Sequence, residues 1–338
     1  MTQNARAIRF WKTTSLCAVL GAAALVPLYA TDFQLFKLTN ILIYAIALLG
    51  MNILVGYNGQ ISLGHGAFYA MGAYAAVVLI VHFDVAHWAA VPIAGAICLV
   101  VGFLFGLPVL RMQTMHLAMA TFAVGAVLPG IAKYKGVEHW TGGGQGMGID
   151  VPAVPFGLLL SFDQWLYLLT LFVLTVSFVL AANLLHGRIG RAILAIRDHP
   201  TAAQALGINI VIYKSAIFGI SAMLVGVAGA LAALAIRYVA PGMFGVFLSF
   251  GFLIGIAVGG LASLSGAIYG AIFLQAIFLL VGATARSLET SNFLLLYGVA
   301  LIAFLALFPH GVAGLVERAW GWLRRRAKSS NRTQERSP

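Results

Sequence analysis

Charged residues are scarce in this chain of 338 residues. They make up 9% of it, with only nine acidic residues, whereas hydrophobic residues make up 62%. A soluble domain carries about 25% charged residues, and a water-soluble fold cannot bury this much apolar surface. The composition excludes a soluble globular protein and predicts one integral membrane domain.

Cysteine is nearly absent as well. Cys17 and Cys98 lie in separate apolar runs without a ligand-forming neighbour, and neither His65 nor His116 has a carboxylate or cysteine nearby in the sequence. We therefore expect no disulfide and no metal site.

Sequence motifs for catalysis are missing too. No lysine follows glycine in the pattern G-x-x-x-x-G-K-[ST], and no serine lies in a G-x-S-x-G setting. The chain is not expected to hydrolyse ATP by the phosphate-loop route. We predict no catalytic residues, no cofactor and no enzymatic activity.

Ionisable groups are also missing from the apolar runs. None of the nine acidic residues falls inside a predicted span, and no lysine or arginine lies near the middle of one. Proton relays and ion-coupled carriers usually place such groups at their sites. This pattern disfavours a proton-driven pump but leaves sodium coupling through backbone carbonyls open.

Long apolar runs dominate the remaining sequence. A membrane-spanning helix needs about 20 mostly apolar residues, and about ten such windows predict an all-α polytopic protein. The windows are Thr13–Ala30, Leu38–Val55, Leu63–Val81, Trp88–Leu107, Leu117–Ala132, Leu166–Leu185, Ala216–Ile236, Phe247–Ala262, Ala267–Ala283 and Phe293–Phe308. The first has the basic start of a signal peptide, but its length favours a retained helix.

Basic residues indicate the orientation of these helices. With the N-terminus inside, only five of the 20 fall on the outer side, which leaves fifteen on the inner side; the five are Lys37, Lys133, Lys135, Arg237 and Arg286. Cytoplasmic loops carry such an excess, so both termini are predicted to be cytoplasmic.

The same map divides the chain into segments. We predict a cytoplasmic N-terminal segment at 1–12, a transmembrane domain at 13–308 and a basic cytoplasmic tail at 309–338. An extracytoplasmic loop covers 133–164 and a cytoplasmic loop covers 186–213. The net charge of +11 then reflects orientation and contact with anionic membrane lipid. Nucleic-acid binding is not expected, because the basic residues do not interleave with aromatics.

The cytoplasmic loop contains the signals of a short exposed helix. Pro200 suits the first turn, Asp198 or His199 can cap it, and Gly207 suits a left-handed exit. Two interpretations stay open: an ordinary amphipathic loop helix, or a contact through which a separate ATPase drives the membrane domain.

Glycines crowd the junction of the second and third windows. These glycines predict a break in the helix, for which two interpretations stay open. The break can line a solute pathway, with free backbone N–H groups that face a substrate carboxylate. Alternatively, it can be a tight loop that allows close helix packing. The candidate pathway residues are Asn58, Gly59, Gln60, Ser62, Gly64 and His65. For His65 a packed or interfacial role is the alternative.

Several motifs in a fixed order resemble one family. The stretches NGQISLGHGAF at 58–68, TFA at 121–123 and TGGGQG at 141–146 are similar to those of permeases of branched-chain amino acid ABC importers, of the LivM type. The cytoplasmic loop resembles the ATPase-coupling pattern E-A-A-x-x-x-G of ABC importers, with Thr201 in place of the glutamate. The coupling positions that match or flank this pattern are Pro200, Thr201, Ala202, Ala203, Gly207 and Ile217.

This resemblance implies a set of partners. They are a second permease subunit in a heterodimer, two cytoplasmic ATP-binding subunits and an extracytoplasmic solute-binding protein, at a bacterial inner membrane. Ala126 and His116 depart from the family pattern, so other amino acids, urea or short amides stand behind branched-chain amino acids as solutes. The alternative is an independent secondary carrier or facilitative channel for a small polar solute.

Overall fold

A computed structural model describes residues 21–109, 114–151, 154–157, 160–287, 298–299 and 302. The predicted terminal segments 1–12 and 309–338 lie outside these residues. So do residues 13–20 of the first predicted window and most of the last predicted window.

The described chain is mainly helical, as predicted. The helices are α1 (Asp32–Asn52), α2 (His65–Phe83), α3 (His87–Val109), α4 (Thr114–Ala132), α5 (Glu138–Thr141), α6 (Phe162–His186), α7 (Arg188–Asp198), α8 (Pro200–Ala205), α9 (Ile210–Ile236), α10 (Val246–Gly259) and α11 (Leu264–Ser287). Within the described residues, seven helical segments are long and apolar enough to cross a membrane, and the shorter His116–Ala132 is also apolar. Eight of the ten predicted windows therefore coincide with helices.

Helix α9 forms the centre of the bundle. It packs against α1, α2 and α3, while α11 packs against α1 and α10, and α6 packs against α1. Small residues allow the closest approach, because a methyl group at Gly72 of α2 would overlap the Gly226 carbonyl oxygen of α9. Interfaces between membrane helices favour small residues for this reason.

One end of the bundle carries a small β-structure that the prediction of an all-α fold missed. Strand β1 (Met147–Gly148) pairs antiparallel with β2 (Tyr238–Val239). Beside it, the Arg237 guanidinium lies 3.0 Å from an Asp163 carboxylate oxygen. Two-residue strands have no hydrophobic periodicity, so the sequence carries no signal for them.

The two polar loops lie at opposite ends of α6. This helix has 25 residues and a length of about 37 Å, enough to cross the hydrocarbon core of a bilayer. The loop at 133–161 precedes it, and the short helices α7 and α8 follow it.

Cysteine labelling in intact and permeabilised cells tests this placement. Tyr134 is 68% exposed and Leu206 is 81% exposed, so Tyr134→Cys and Leu206→Cys should react from opposite sides of the membrane, with Cys17 and Cys98 replaced. Ala203 is buried, and Ala203→Cys serves as a control that should react only after denaturation. Labelling of both exposed positions from the same side would overturn the placement.

Candidate functional site

The chain unwinds between α1 and α2, where the glycines predict a break. Residues Ile53–Tyr57 form a π-helical turn, and the Asn58 and Gln60 N–H groups donate to the Ile53 and Leu54 carbonyls, both at 3.2 Å. Gly59 then adopts a φ of +70°, a conformation that favours glycine. Such turns inside helices often mark functional sites.

The candidate polar side chains of this break are buried. Asn58 and Gln60 are each 2% exposed, and the Asn58 Nδ2 donates to the Gln60 Oε1 at 2.8 Å. Among the described residues, the Asn58 Oδ1 and the Gln60 Nε2 have no partner. The pair therefore offers one acceptor and one donor to a polar molecule.

His65 joins the break to the central helix. Its Nε2 lies 2.9 Å from the Ser221 Oγ, and its Nδ1 lies 2.8 Å from the Ser62 Oγ. The Ser221 hydroxyl donates to the Gly50 carbonyl, so we assign the Nε2 as protonated and the Nδ1 as the acceptor from Ser62. His65 is thus fully used as a packed connector, the alternative that the sequence left open.

Three N–H groups at and just before the start of α2 have protein partners. The Leu63 N–H donates to the Thr121 Oγ1 at 3.0 Å, and the Gly66 N–H donates to the Ser249 Oγ at 2.8 Å. The Gly64 N–H donates to the Ser62 Oγ at 3.4 Å. These three groups are therefore not free to bind a substrate carboxylate.

A second break lies between α10 and α11, beside the first. Gly260 and Ala262 both have positive φ values, +118° and +56°. The Asn52 Nδ2 donates to the Ser263 carbonyl at 2.6 Å, and its Oδ1 accepts from the Ala262 N–H at 2.9 Å. Sequence reasoning missed Asn52, although an asparagine in an apolar helix was an available signal.

The loop at 186–213 contains the predicted short helix. Pro200 is the first residue of α8, and Gly207 has a φ of +81°. The Ile208 N–H donates to the Ala203 carbonyl at 3.1 Å, the bond that closes a helix before a left-handed glycine.

The predicted coupling residues divide by exposure. Pro200, Thr201, Ala202 and Gly207 are exposed, whereas Ala203 is buried and Ile217 is fully buried within α9. In this structure Ala203 and Ile217 contact their own chain, and Leu206 adds an exposed apolar side chain that the family pattern did not indicate.

Arg197 connects the loop to the first break. Its Nη1 donates to the Gly56 carbonyl at 2.8 Å, across 141 positions of sequence. The candidate pathway and coupling residues therefore lie at the same end of the bundle. No sequence signal pointed to this contact, because Arg197 resembles any other basic loop residue.

Other features of the described residues contribute no site. No group of three or more His, Cys, Asp or Glu residues there could hold a metal ion. An apolar cavity of about 640 Å³ lies between α3, α6 and α9, and none of the candidate residues lines it.

Comparisons with known proteins give one consistent result. Residues 34–305 match the family described as "Branched-chain amino acid transport system / permease component". The chain is 32% identical over 283 residues to the "High-affinity branched-chain amino acid transport system permease protein LivM" of Salmonella typhimurium and to that of Escherichia coli. Each alignment covers 77% of this chain and 66% of the relative, slightly less than two thirds of its length.

A solved structure shows a weaker similarity. It is "PsaBC from Streptococcus pneumoniae in complex with Fab", with a TM-score of 0.43 and 14% identity, covering 84% of this chain and 95% of that one. This similarity is too low to establish a shared fold.

Replacing Asn52 tests how the two breaks are held together. Asn52→Leu leaves the Ala262 N–H and the Ser263 carbonyl without their side-chain partner, and we expect a loss of about 2–4 kcal/mol in the free energy of unfolding. Denaturant titration in mixed micelles measures this. Asn40→Leu is the matched control, because Asn40 in the same helix donates only to the Phe36 carbonyl one turn away. Equal stability of the two variants would show that Asn52 does not hold the second break.

Proposed function

The chain belongs to the branched-chain amino acid transport permease family, and from this membership we propose that it is the transmembrane permease subunit of an ABC importer. It moves a branched-chain amino acid by alternating access, and separate ATPase subunits drive the movement. The match across residues 34–305 supports this proposal, as does the lack of a phosphate-binding loop in a chain with a short helix suited to receive an ATPase.

The assembly that we propose contains four further subunits. They are a second permease subunit, two cytoplasmic ATP-binding subunits and an extracytoplasmic solute-binding protein, at a bacterial inner membrane. The chain crosses this membrane about ten times with both termini in the cytoplasm, as the fifteen-to-five distribution of its 20 basic residues supports.

Exposure of α8 is the observation that carries the proposal. Leu206 at its end is 81% exposed, and burial of a leucine side chain against a partner contributes about 1.5–3 kcal/mol. In our proposal Pro200, Thr201, Ala202 and Gly207 enter the ATPase surface with Leu206. Ala203 and Ile217 support this contact from inside the permease.

The proposed pathway uses uncharged groups at the first break. The unpartnered Asn58 Oδ1 and Gln60 Nε2 contact the passing solute, and Gly59 provides the turn between them. Ser62, Gly64 and His65 hold the break in place. Uncharged contacts let a zwitterion pass without the strong binding that a buried opposite charge would give.

Uptake of radiolabelled leucine into proteoliposomes tests the function. The complete complex with its solute-binding protein should accumulate leucine only when ATP reaches the ATPase side. The permease chain alone should show neither uptake nor ATP hydrolysis, because it has no phosphate-binding loop. The independent-carrier alternative predicts the reverse: leucine uptake by the chain alone without ATP.

Substitution of Gly207 tests the ATPase contact. In Gly207→Val a Cβ meets no neighbouring atom, but the left-handed backbone costs about 1–2 kcal/mol. We expect the exit of α8 to shift and the ATPase recovered with the permease to fall about tenfold, at unchanged membrane level.

Gly207→Asn is the matched control, because asparagine tolerates the left-handed conformation. It should retain near-parental ATPase recovery. If Gly207→Val recovers as much ATPase as the parent, or if membrane level falls in proportion, the loop is not the ATPase contact.

A further inference from the structure

We propose that Arg197 is a positioning residue that acts as a permanent strut between the cytoplasmic loop and the α1–α2 break. By strut we mean a rigid side-chain connection that stays in place throughout transport. This inference rests on the proposed function, because the loop transmits movement only if an ATPase binds it. It assigns a role to a residue outside both the coupling pattern and the candidate pathway.

Three contacts hold the Arg197 side chain. Its Nη1 donates to the Gly56 carbonyl at 2.8 Å, and its Nε donates to the Asp198 Oδ1 at 3.1 Å. Its aliphatic stem covers Gly59, where a methyl group would lie 2.9 Å from the Arg197 Cγ. One side chain thus touches both ends of the turn from Gly56 to Gly59.

The Gly56 carbonyl lies in the π-helical turn Ile53–Tyr57 that follows α1. The N–H groups of the residues after this turn donate to carbonyls other than that of Gly56. The acceptors for Asn58, Gly59 and Gln60 are the carbonyls of residues 53, 55 and 54. The Gly56 carbonyl instead accepts a charge-assisted bond from Arg197, which is stronger than a bond between neutral groups.

Gly56 also touches the second break. A methyl group at Gly56 would lie 2.5 Å from the Ala262 nitrogen and would overlap the Asn52 Oδ1. Asn52 itself binds the second break through Ala262 and Ser263. A movement of Arg197 that displaces Gly56 would therefore move residues of both breaks.

The loop side of the strut is firmly packed. Ile193 and Ile196 of α7 are 0% and 1% exposed, and Ile196 directly precedes Arg197. A packed helix on one side and a bonded carbonyl on the other make a rigid connection. Such a connection should stay closed while the loop moves, in contrast to a contact that opens and closes.

A disulfide can replace the strut covalently. A Cβ built at Gly59 lies 4.0 Å from the Arg197 Cβ, within the range of about 3.5–4.5 Å for a disulfide. The double variant Gly59→Cys/Arg197→Cys, with Cys17→Ser and Cys98→Ala, is assembled with the ATPase subunits, partner permease and solute-binding protein in proteoliposomes. Leucine taken up per ATP hydrolysed is measured in the oxidised and the reduced state.

Because Gly59→Cys also changes a left-handed position of the candidate pathway, the oxidised and reduced states of the same double variant are compared with each other and not with the parent. On reduction, leucine uptake per ATP should fall about tenfold, the factor expected when a hydrogen bond to a charged group is lost. ATP hydrolysis and ATPase recovery should be the same in the oxidised and the reduced state. The single variants Gly59→Cys and Arg197→Cys should not respond to reductant, and Asp198→Asn should couple normally because it leaves the bond to Gly56 intact.

Two results would overturn the strut. An oxidised complex that imports less leucine per ATP than its own reduced form would mean that the contact must open during transport. A reduced complex that couples normally would mean that Arg197 is not needed. A parental complex without ATP-driven leucine uptake would contradict the proposed function. Failure of the proposed function is thus distinguished from failure of the strut.

A second measurement needs no solute. Ile61 lies in the break and is 47% exposed, so the reactivity of Ile61→Cys should change when ATP binds the complex. In an Arg197→Ala background this change should disappear, although ATPase recovery remains. A persistent ATP-dependent change in that background overturns the proposal independently of leucine.

Discussion

Backbone groups at a helix break cannot rely on water inside a membrane domain, and this constraint organises the candidate site. Each N–H or carbonyl that leaves the helical pattern needs a partner from the protein itself. The Thr121 and Ser249 hydroxyls accept hydrogen bonds from N–H groups at and just before the start of α2. The Asn52 side chain accepts one from the break between α10 and α11. Arg197 donates to the Gly56 carbonyl in the π-helical turn after α1.

Satisfying these groups brings distant segments together. Asn52 and Ser263 are 211 positions apart, and Arg197 and Gly56 are 141 apart, yet all four lie at one end of the bundle. The partners that stabilise the breaks also connect them to the loop that contains α7 and α8. The importer that we propose needs such a connection between its ATPase subunits and the helices of the permease.

The candidate pathway residues divide into two groups in the structure. Ser62 and His65 are occupied by hydrogen bonds to their own chain. Asn58 and Gln60 bond to each other and retain one acceptor and one donor. The break therefore combines a rigid support with two buried polar atoms that have no partner among the described residues. The proposed solute contact belongs to the second group.

The sequence by itself determined the features that depend on local composition. Apolar run length predicted eight helices within the described chain, the glycines predicted the first break, and Pro200 and Gly207 predicted the ends of α8. Tertiary structure decided what each residue touches: the burial of Ala203 and Ile217, the hydroxyl partners of the α2 N–H groups, and the roles of Asn52 and Arg197. Propensity and hydropathy act within a few residues of the chain, whereas a hydrogen-bond partner is set by packing between helices that are far apart in sequence.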